Sequence, residues 1–331
     1  MNEGELILQK FRAAQAEGIS VALATVVKLH GSSYRRPGAK MLITRDGQIA
    51  GSVSGGCLER DLIRRAVRMM DTSTDEGAIV IYDTRADADD DEAEARVRTV
   101  GLGCEGVIEI FLNPKPGAQL EAIAQVFRSR RPQGFALALP DGTAFVDQLS
   151  APVRLILFGA GHDTVPMSRL AHELGWSVTV VDCHSSFAVL RSSYIGVADY
   201  RVASPALAAA AASVDQDSLA MVMTHNYEHD LEILKHLTSG SRPRYAAVLG
   251  PKKRTEKLFA ELRAQGVQSP EAGMHYPMGL DIGGDSPQTI ALSALAQAQA
   301  VLAGRHGGFL SLADRIHDDP DLDANASDSR S

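Results

Sequence analysis

The sequence predicts an α/β protein in which an N-terminal mixed α/β domain is followed by a C-terminal Rossmann-like, doubly wound parallel sheet. Two observations on the C-terminal half carry this prediction. From Val153 onward, apolar strand-like runs alternate with helix-like stretches, which is the pattern of βαβ units. The first of these strands is followed directly by a glycine-rich turn, FGAG. The N-terminal half differs, because its strand-like runs are joined by hairpin turns.

Turn signals and periodicity locate the elements along the chain. In order they are a helix over 1–18, a strand over 21–29, a hairpin over 40–53 turning at Asp46 and Gly47, a helix after residue 57, strands over 78–83 and 106–112, a hairpin or linker over 135–152, the βαβ series, a long loop over 267–287 and an alanine-rich helix over 286–304. The acidic stretch 85–99 is predicted as a solvated loop or surface helix. These boundaries predict an N-terminal domain over 1–150, a Rossmann-like domain over 151–313 and a disordered tail over 314–331.

Composition narrows the possible partners. The chain has 331 residues, 45% of them hydrophobic, which is enough to bury two cores and permits a homodimer without requiring one. A net charge of −8 without a block of lysine and arginine disfavours nucleic acid as a partner. No apolar stretch is long enough to span a bilayer, and the first residues lack the features of a signal peptide, so we expect a cytoplasmic protein without a membrane partner.

The three cysteines are too few and too scattered to form a disulfide framework or a zinc site. Cys57 follows Gly55 and Gly56 and precedes an amphipathic helix whose predicted apolar face is Leu58, Leu62, Ile63, Val67 and Met70. Free N–H groups and the positive end of a helix dipole favour the thiolate, which could attack, carry sulfur or bind a soft metal. Burial as an inert packing residue is the alternative.

Cys104 also lies among glycines, in TVGLGCEGVIEIFL, so the two thiols could face one pocket, or they could be two separate packed residues. Cys183, beside Asp182, is predicted to be structural. Arg35, Arg36 and Lys40 follow Gly31, Ser32 and Ser33, a composition suited either to holding an anionic group or to a solvated basic loop.

The Rossmann-like half offers a nucleotide site. Gly159 allows a tight turn, Gly161 lets backbone N–H groups reach a phosphate, and Asp182 could accept hydrogen bonds from a ribose. His162 either contacts a phosphate or lies at the surface. Thr164 stands where the usual pattern has a third glycine, which argues against ordinary dinucleotide use. His225 and His229 are more typical of a strand-end loop leading into a helix than of a metal site.

Seven motifs in order over about residues 5–310 resemble one family. They are GSSYRRPGAKMLIT, GSVSGGCLE, GLGCEG, FGAGHDTVP, VVDCH, THNYEHD and GLDIGGDSPQTIALS. Together they are similar to the XdhC/CoxI family, the accessory factors of xanthine dehydrogenase and related molybdenum hydroxylases. Cys57 matches the SGGC position of this family and Cys104 its GLGC position. The family usually has GCGG at the second cysteine, where this chain has Glu105.

The resemblance implies a chaperone rather than an enzyme with classical turnover. It would bind molybdenum cofactor through Cys57 and Cys104, with Cys57 contacting molybdenum. It would support replacement of an oxo ligand by sulfur and deliver the product to an apo molybdenum hydroxylase, with a cysteine desulfurase as a further partner. Two alternatives stay open from the residues: an NAD(P)-dependent oxidoreductase using Gly159, Gly161 and Asp182, and a cysteine-nucleophile enzyme with His30 or His184 as base.

Overall fold

The computed structural model describes residues 2–31, 35–83, 97–99, 106–183, 185–239 and 242–312. The chain divides into two compact units, the first made of 1–153 with 172–177 and the second of 154–171 with 178–331. Each unit contains a six-stranded sheet and helices, so the predicted α/β fold class is confirmed.

The first unit contains three helices and eight strands among its described residues. They are α1 (Glu3–Ala16), β1 (Val21–Gly31), β2 (Lys40–Thr44), β3 (Ile49–Gly51), α2 (Glu59–Asp71), β4 (Ala78–Asp83), β5 (Val97–Thr99), β6 (Gly106–Asn113), α3 (Gly117–Ser129), β7 (Gln133–Ala138) and β8 (Ala144–Leu149). The strands β7 and β8 form the predicted second hairpin as a separate antiparallel pair.

The six-stranded sheet of this unit runs in the order β3-β2-β1-β6-β4-β5 and is antiparallel except between β4 and β5. Side chains of β1 alternate between its two faces, as a strand requires. Ala22 and Ala24 pack in one core with Leu62 of α2, whereas Leu23 packs in another with Ile7 of α1 and with residues of α3. The sheet therefore lies between α2 on one face and α1 and α3 on the other.

The second unit alternates strands and helices as predicted. Its elements are β9 (Arg154–Phe158), α4 (Thr164–Glu173), β10 (Ser177–Asp182), β11 (Asp199–Val202), α5 (Pro205–Ala211), β12 (Ser218–Val222), α6 (Tyr227–Ser239), β13 (Tyr245–Val248), α7 (Lys252–Ala264), β14 (Met274–His275) and α8 (Pro287–Leu302), with 3₁₀ turns at Ser185–Tyr194 and Leu310–Leu312. None of the helices in the described ranges is both long and apolar enough to cross a membrane.

The sheet of the second unit runs in the order β11-β10-β9-β12-β13-β14. The strand β9 has β10 on one side and β12 on the other, and β12 is parallel to both β9 and β13. The chain thus adds β10 and β11 on one side of β9 and afterwards adds β12, β13 and β14 on its other side. The carboxyl ends of β9 and β12 form the switch point at which open α/β sheets bind ligands.

The structure differs from the sequence expectations in four places. The strand β5 lies in the stretch 85–99 that was expected to be a loop or helix, and β14 lies in the expected loop 267–287. A 3₁₀ turn over Ser185–Tyr194 was not anticipated. In α2, Ala66 is fully buried while Ile63, Val67 and Met70 are only half-buried, because the small alanine allows the helix to approach the sheet there. Short strands need a partner strand to satisfy their backbone groups, and local periodicity does not show that partner. The predicted tail 314–331 lies outside the described residues.

Candidate functional site

Cys57 lies in the loop that joins β3 to α2, just before the helix begins at Glu59. The residue is exposed, which excludes the packing alternative for this thiol. Gly55 and Gly56 precede it, and a Cβ built at either position would meet nothing within 4 Å. Gly56 has a φ of 108°, which side chains rarely adopt, so glycine is needed there for the turn. The loop therefore presents a thiol beside bare, open backbone.

Two of the backbone N–H groups that flank the thiol bind other acceptors. Leu58 donates its backbone N–H to Ser54 Oγ at 3.2 Å and to Glu59 Oε2 at 3.1 Å, and Gly56 donates to Ser54 Oγ at 3.2 Å. Within the described part of the chain, the hydrogen bond that Cys57 makes is to Ser54 Oγ, with 3.5 Å between Sγ and Oγ, and no histidine is bonded to the thiol. The N–H groups of Gly56 and Leu58 are therefore not free to stabilise a thiolate, so the expectation of free N–H groups fails for these two.

The basic segment that contains Arg35, Arg36 and Lys40 has two side chains paired with carboxylates and one that is exposed. Arg35 pairs with Glu3 at 2.5 Å, and Glu3 also accepts the backbone N–H of Ser52 at 3.0 Å, so the segment is connected to the start of the Cys57 loop. Lys40 binds Asp147 and is nearly buried, so its expected availability to an anion is not found. Arg36 is exposed, and no ion pair or side-chain hydrogen bond of it occurs among the described residues. Arg36 is thus the cation of this segment that is open to a ligand.

The glycine-rich turn of the second unit lies at the switch point. Gly159 has a φ of 124°, and a Cβ there would lie 2.4 Å from the carbonyl oxygen of Met223, which follows β12. Only glycine fits where the loop after β9 approaches the loop after β12 so closely. Gly161 is buried, and its own Cβ position would be 3.0 Å from Asp163 Oδ1. His162, the next residue, is exposed, which is compatible with both of its predicted alternatives.

Asp182 ends β10 where a ribose acceptor is expected, but the structure gives it another partner. The side chain is 2% exposed and accepts a hydrogen bond from the hydroxyl of Tyr200 on β11. Burial and this bond raise the pKa of Tyr200, so the hydroxyl stays protonated and keeps donating. A ribose can reach Asp182 only if Tyr200 moves away.

A pair that sequence reasoning missed spans the switch point. His225, after β12, contacts Asp163, after β9, with 2.7 Å between Nε2 and Oδ2. The hydrogen bond to the Asp163 carboxylate raises the pKa of His225 above its usual 6.5. His225 has a φ of 58°, so a strained backbone holds it there. Its motif, THN after an apolar strand, indicated a loop but not its partner, because 62 residues separate the two side chains.

The remaining cysteines do not add a second described thiol to the Cys57 loop. Cys183 is half-buried in the second unit, and burial next to Asp182 raises the pKa of its thiol to about 11, which fits a structural residue. Cys104 lies outside the described residues. No group of three or more side chains suited to hold a metal ion occurs in the described ranges.

The structure thus brings the predicted residues together in two groups. In the first unit Cys57, Gly55 and Gly56 share one loop, to which Arg35 is connected through Glu3. In the second unit Gly159, Gly161, His162 and Asp182 lie at the carboxyl ends of adjacent strands. The sequence reasoning overlooked the roles of Ser54 and Glu59. Their hydrogen bonds link residues up to five positions apart within the loop, and no local pattern in the sequence indicated them.

Two family models match the chain. A model described as the XdhC and CoxI family matches residues 14–83, and one described as the XdhC Rossmann domain matches residues 155–298. The first match includes the Cys57 loop and the second includes the glycine-rich turn and most of the parallel sheet.

Relatives and a solved structure agree with these matches. The chain is 28% identical over 317 residues to a protein of Bacillus subtilis (strain 168) described as a probable xanthine dehydrogenase subunit, covering 83% of this chain and 91% of that protein. It is 24% identical to "Molybdenum cofactor insertion chaperone PaoD" of Escherichia coli (strain K12), covering 87% and 85% of the two chains. A crystal structure described as a xanthine dehydrogenase from Bacillus halodurans superposes with a TM-score of 0.73 at 25% identity, covering 95% of this chain and 98% of that one.

Proposed function

Because the chain belongs to the XdhC and CoxI family, we propose that it is an accessory chaperone for a molybdenum hydroxylase of the xanthine dehydrogenase type. It binds molybdenum cofactor as cargo, supports its sulfuration and delivers it to the apo-enzyme. The relative named as a molybdenum cofactor insertion chaperone supports this cargo, and the relative described as a xanthine dehydrogenase subunit supports this type of partner.

The observation that carries the proposal is the exposed thiol of Cys57 beside open glycine backbone. A thiolate is a soft ligand suited to a thiophilic metal, and glycines without neighbours leave room for a bulky pterin next to the sulfur. Arg36 supplies an exposed guanidinium suited to the phosphate of the cargo. In this proposal Cys57 holds the metal end of the cofactor, and Cys104 is a second cofactor contact.

The sulfur that replaces an oxo ligand has to come from a donor, for which we propose a cysteine desulfurase that docks to this chain. A thiol that must remain reduced to bind its cargo favours the cytoplasm, where glutathione and thioredoxin keep thiols reduced.

The proposal is tested by uptake and transfer with purified components. We expect molybdenum cofactor to co-elute with the chain in anaerobic gel filtration, and the loaded chain to restore activity to a cofactor-free xanthine dehydrogenase. The matched control is an equal amount of free cofactor added to the same apo-enzyme. Elution of the cofactor apart from the protein, together with no gain in activity over free cofactor, would contradict the proposal.

The glycine-rich turn at the switch point favours a second candidate function, that of an NAD(P)-dependent oxidoreductase. Asp182 is the residue that would bind the ribose, but it is buried and bonded to Tyr200, and the Asp163 carboxylate lies beside Gly161 where a pyrophosphate would approach. We therefore expect calorimetric titration with NAD and with NADP to give no heat of binding. Saturable binding of either one would restore this function.

A further inference from the structure

Arginine side chains are concentrated on α2, the helix that follows the Cys57 loop. Four of the 13 residues of α2 are arginine, although the chain as a whole carries a net charge of −8. Three of them are exposed, Arg60, Arg64 and Arg68, and their spacing of four residues places them on one side of the helix. We call these three residues the arginine stripe. The stripe is a local concentration of positive charge on an acidic protein.

The arginine stripe lies on the side of α2 that faces away from the sheet. Leu62 and Ala66 are fully buried in the core beneath α2. Each follows a stripe residue by two positions, which is a rotation of about 200° around an α-helix. The guanidinium groups of the stripe therefore project from the side of α2 opposite to the core.

The fold makes little use of Arg60 and Arg64. The structural arginine of α2 is Arg65, whose Nε lies 2.8 Å from Asp61 Oδ2, and the same oxygen accepts the hydroxyl of Tyr82 at 2.8 Å. Arg64 lies 3.3 Å from the other oxygen of Asp61, and its side chain is 65% exposed, so this pair contributes little to stability. No ion pair or side-chain hydrogen bond of Arg60 occurs in the part of the chain that the structure describes. Both guanidinium groups are thus available to a partner.

A cleft beside the stripe does not explain these arginines. The cleft has a volume of about 840 Å³ and is bordered by α2 and β4. Its charged lining residues are three arginines and four carboxylates, those of Arg64, Arg65, Arg68, Asp61, Glu76, Glu109 and Asp141. Because the carboxylates balance the arginines there, the cleft does not favour a small anion.

The chemistry of the stripe favours the acidic surface of another protein. A guanidinium group matches a carboxylate with two parallel hydrogen bonds, and arginine is enriched in protein–protein interfaces where lysine is depleted. From Arg60 to Arg68 the helix rises about 12 Å, which is longer than a single phosphate or carboxylate group. The net charge of −8 repels a nucleic acid. Several carboxylates on one protein surface therefore fit the stripe best.

The stripe begins next to the thiol. Arg60 is three residues after Cys57, and α2 leads away from the loop from there. Cargo held by the exposed Cys57 has to pass to a recipient that approaches from solvent. The recipient therefore comes within reach of the stripe.

We propose that the arginine stripe docks an acidic surface of the apo molybdenum hydroxylase that receives the cargo. The inference rests on the proposed function for the identity of this recipient. Opposite charges speed the encounter of the two proteins and fix the orientation in which the recipient faces Cys57. Because the attraction acts between exposed charges, it weakens as the salt concentration rises.

The test is binding of the whole chain, without cofactor, to an immobilised cofactor-free xanthine dehydrogenase, followed by biolayer interferometry from about 50 to 300 mM NaCl. The variant combines Arg60→Gln, Arg64→Gln and Arg68→Gln, since glutamine has a similar helix propensity but no charge. We expect its association rate constant at the lowest salt concentration to be about tenfold lower than that of the parent chain, with a flatter dependence on salt. Arg60→Gln alone should give part of this loss, so the inference does not depend on the folding of the triple variant.

Two controls separate the position of the charges from their number. Lys252→Gln with Lys253→Gln and Lys257→Gln removes three exposed charges from α7 in the second unit, so it changes the net charge equally but should bind nearly as the parent chain does. Lysine at all three positions of the stripe keeps the charge and should retain most of the salt dependence. Circular dichroism of each variant verifies that the helices are intact.

Three results would each overturn the inference. They are an unchanged association rate in the glutamine variant of the stripe, an equal loss in the α7 control, and no binding of the parent chain at the lowest salt concentration. Cofactor uptake by the chain is measured without the recipient. Failure of that uptake would count against the proposed function, whereas a complex that forms equally well without the arginines would count against the docking surface alone.

Discussion

Replacing Cys57 by serine is expected to lower cofactor transfer to the apo-enzyme by at least about tenfold. Changes to groups that only support a metal ligand already cost about 10–100-fold in metal affinity, and loss of the ligand itself should cost no less. A serine hydroxyl is close in size to the thiol but stays protonated and is a hard donor, so it is a poor replacement for a soft thiolate. The measurement is the activity regained by a cofactor-free xanthine dehydrogenase after incubation with the loaded variant.

The exposure of Cys57 makes this variant informative, because surface substitutions usually change the free energy of unfolding by less than about 0.5 kcal/mol. The matched control is Cys183→Ala, which removes the other described thiol and should leave transfer unchanged. If Cys57→Ser retains and transfers the cofactor as well as the parent chain does, the thiol has no part in cargo binding.

Removing the amine of Lys40 is expected to cost about 3–5 kcal/mol of the free energy of unfolding of the first unit. In Lys40→Met the apolar stem is kept, but the carboxylate of Asp147 loses the partner that lies 2.9 Å away. Asp147 has a fully buried side chain, and an uncompensated charge in such a place is strongly destabilising. The measurement is urea unfolding followed by circular dichroism.

The control is Lys28→Met, which breaks an ion pair at 3.4 Å whose lysine is 57% exposed. Such a surface pair contributes about 0–1 kcal/mol. The double variant Lys40→Met with Asp147→Leu should regain most of the loss, because it leaves no buried charge behind. Equal losses in Lys40→Met and Lys28→Met would contradict the role given to the buried pair.

Local sequence was a good guide wherever a residue depends on its chain neighbours. Gly159 was recognised because a tight turn after a strand needs a glycine, and the structure gives it a φ of 124°. The predicted strand over 78–83 has the same bounds as β4, because its apolar run is bounded by turn signals. Lys40 shows the limit of such reasoning. Its position in a basic run did not reveal that its ammonium pairs with the carboxylate of Asp147, which lies 107 residues away in the sequence.

The same limit applies to the candidate site. Cys57 could be located before a helix from periodicity, but the acceptors of the nearby N–H groups depend on how the loop folds back onto Glu59. Asp182 could be located at a strand end, but the Tyr200 hydroxyl that donates a hydrogen bond to its carboxylate lies on the neighbouring strand.

The sequence by itself determined the α/β class, the order of elements and the motifs that place the chain in the XdhC and CoxI family. These depend on side-chain periodicity, turn residues and spacing, all of which are local properties of the chain. Only the tertiary structure decided which charges are neutralised, which hydrogen-bond donors are already used and which thiol is exposed. Such properties depend on partners distant in sequence, and burial determines how strongly each partner acts.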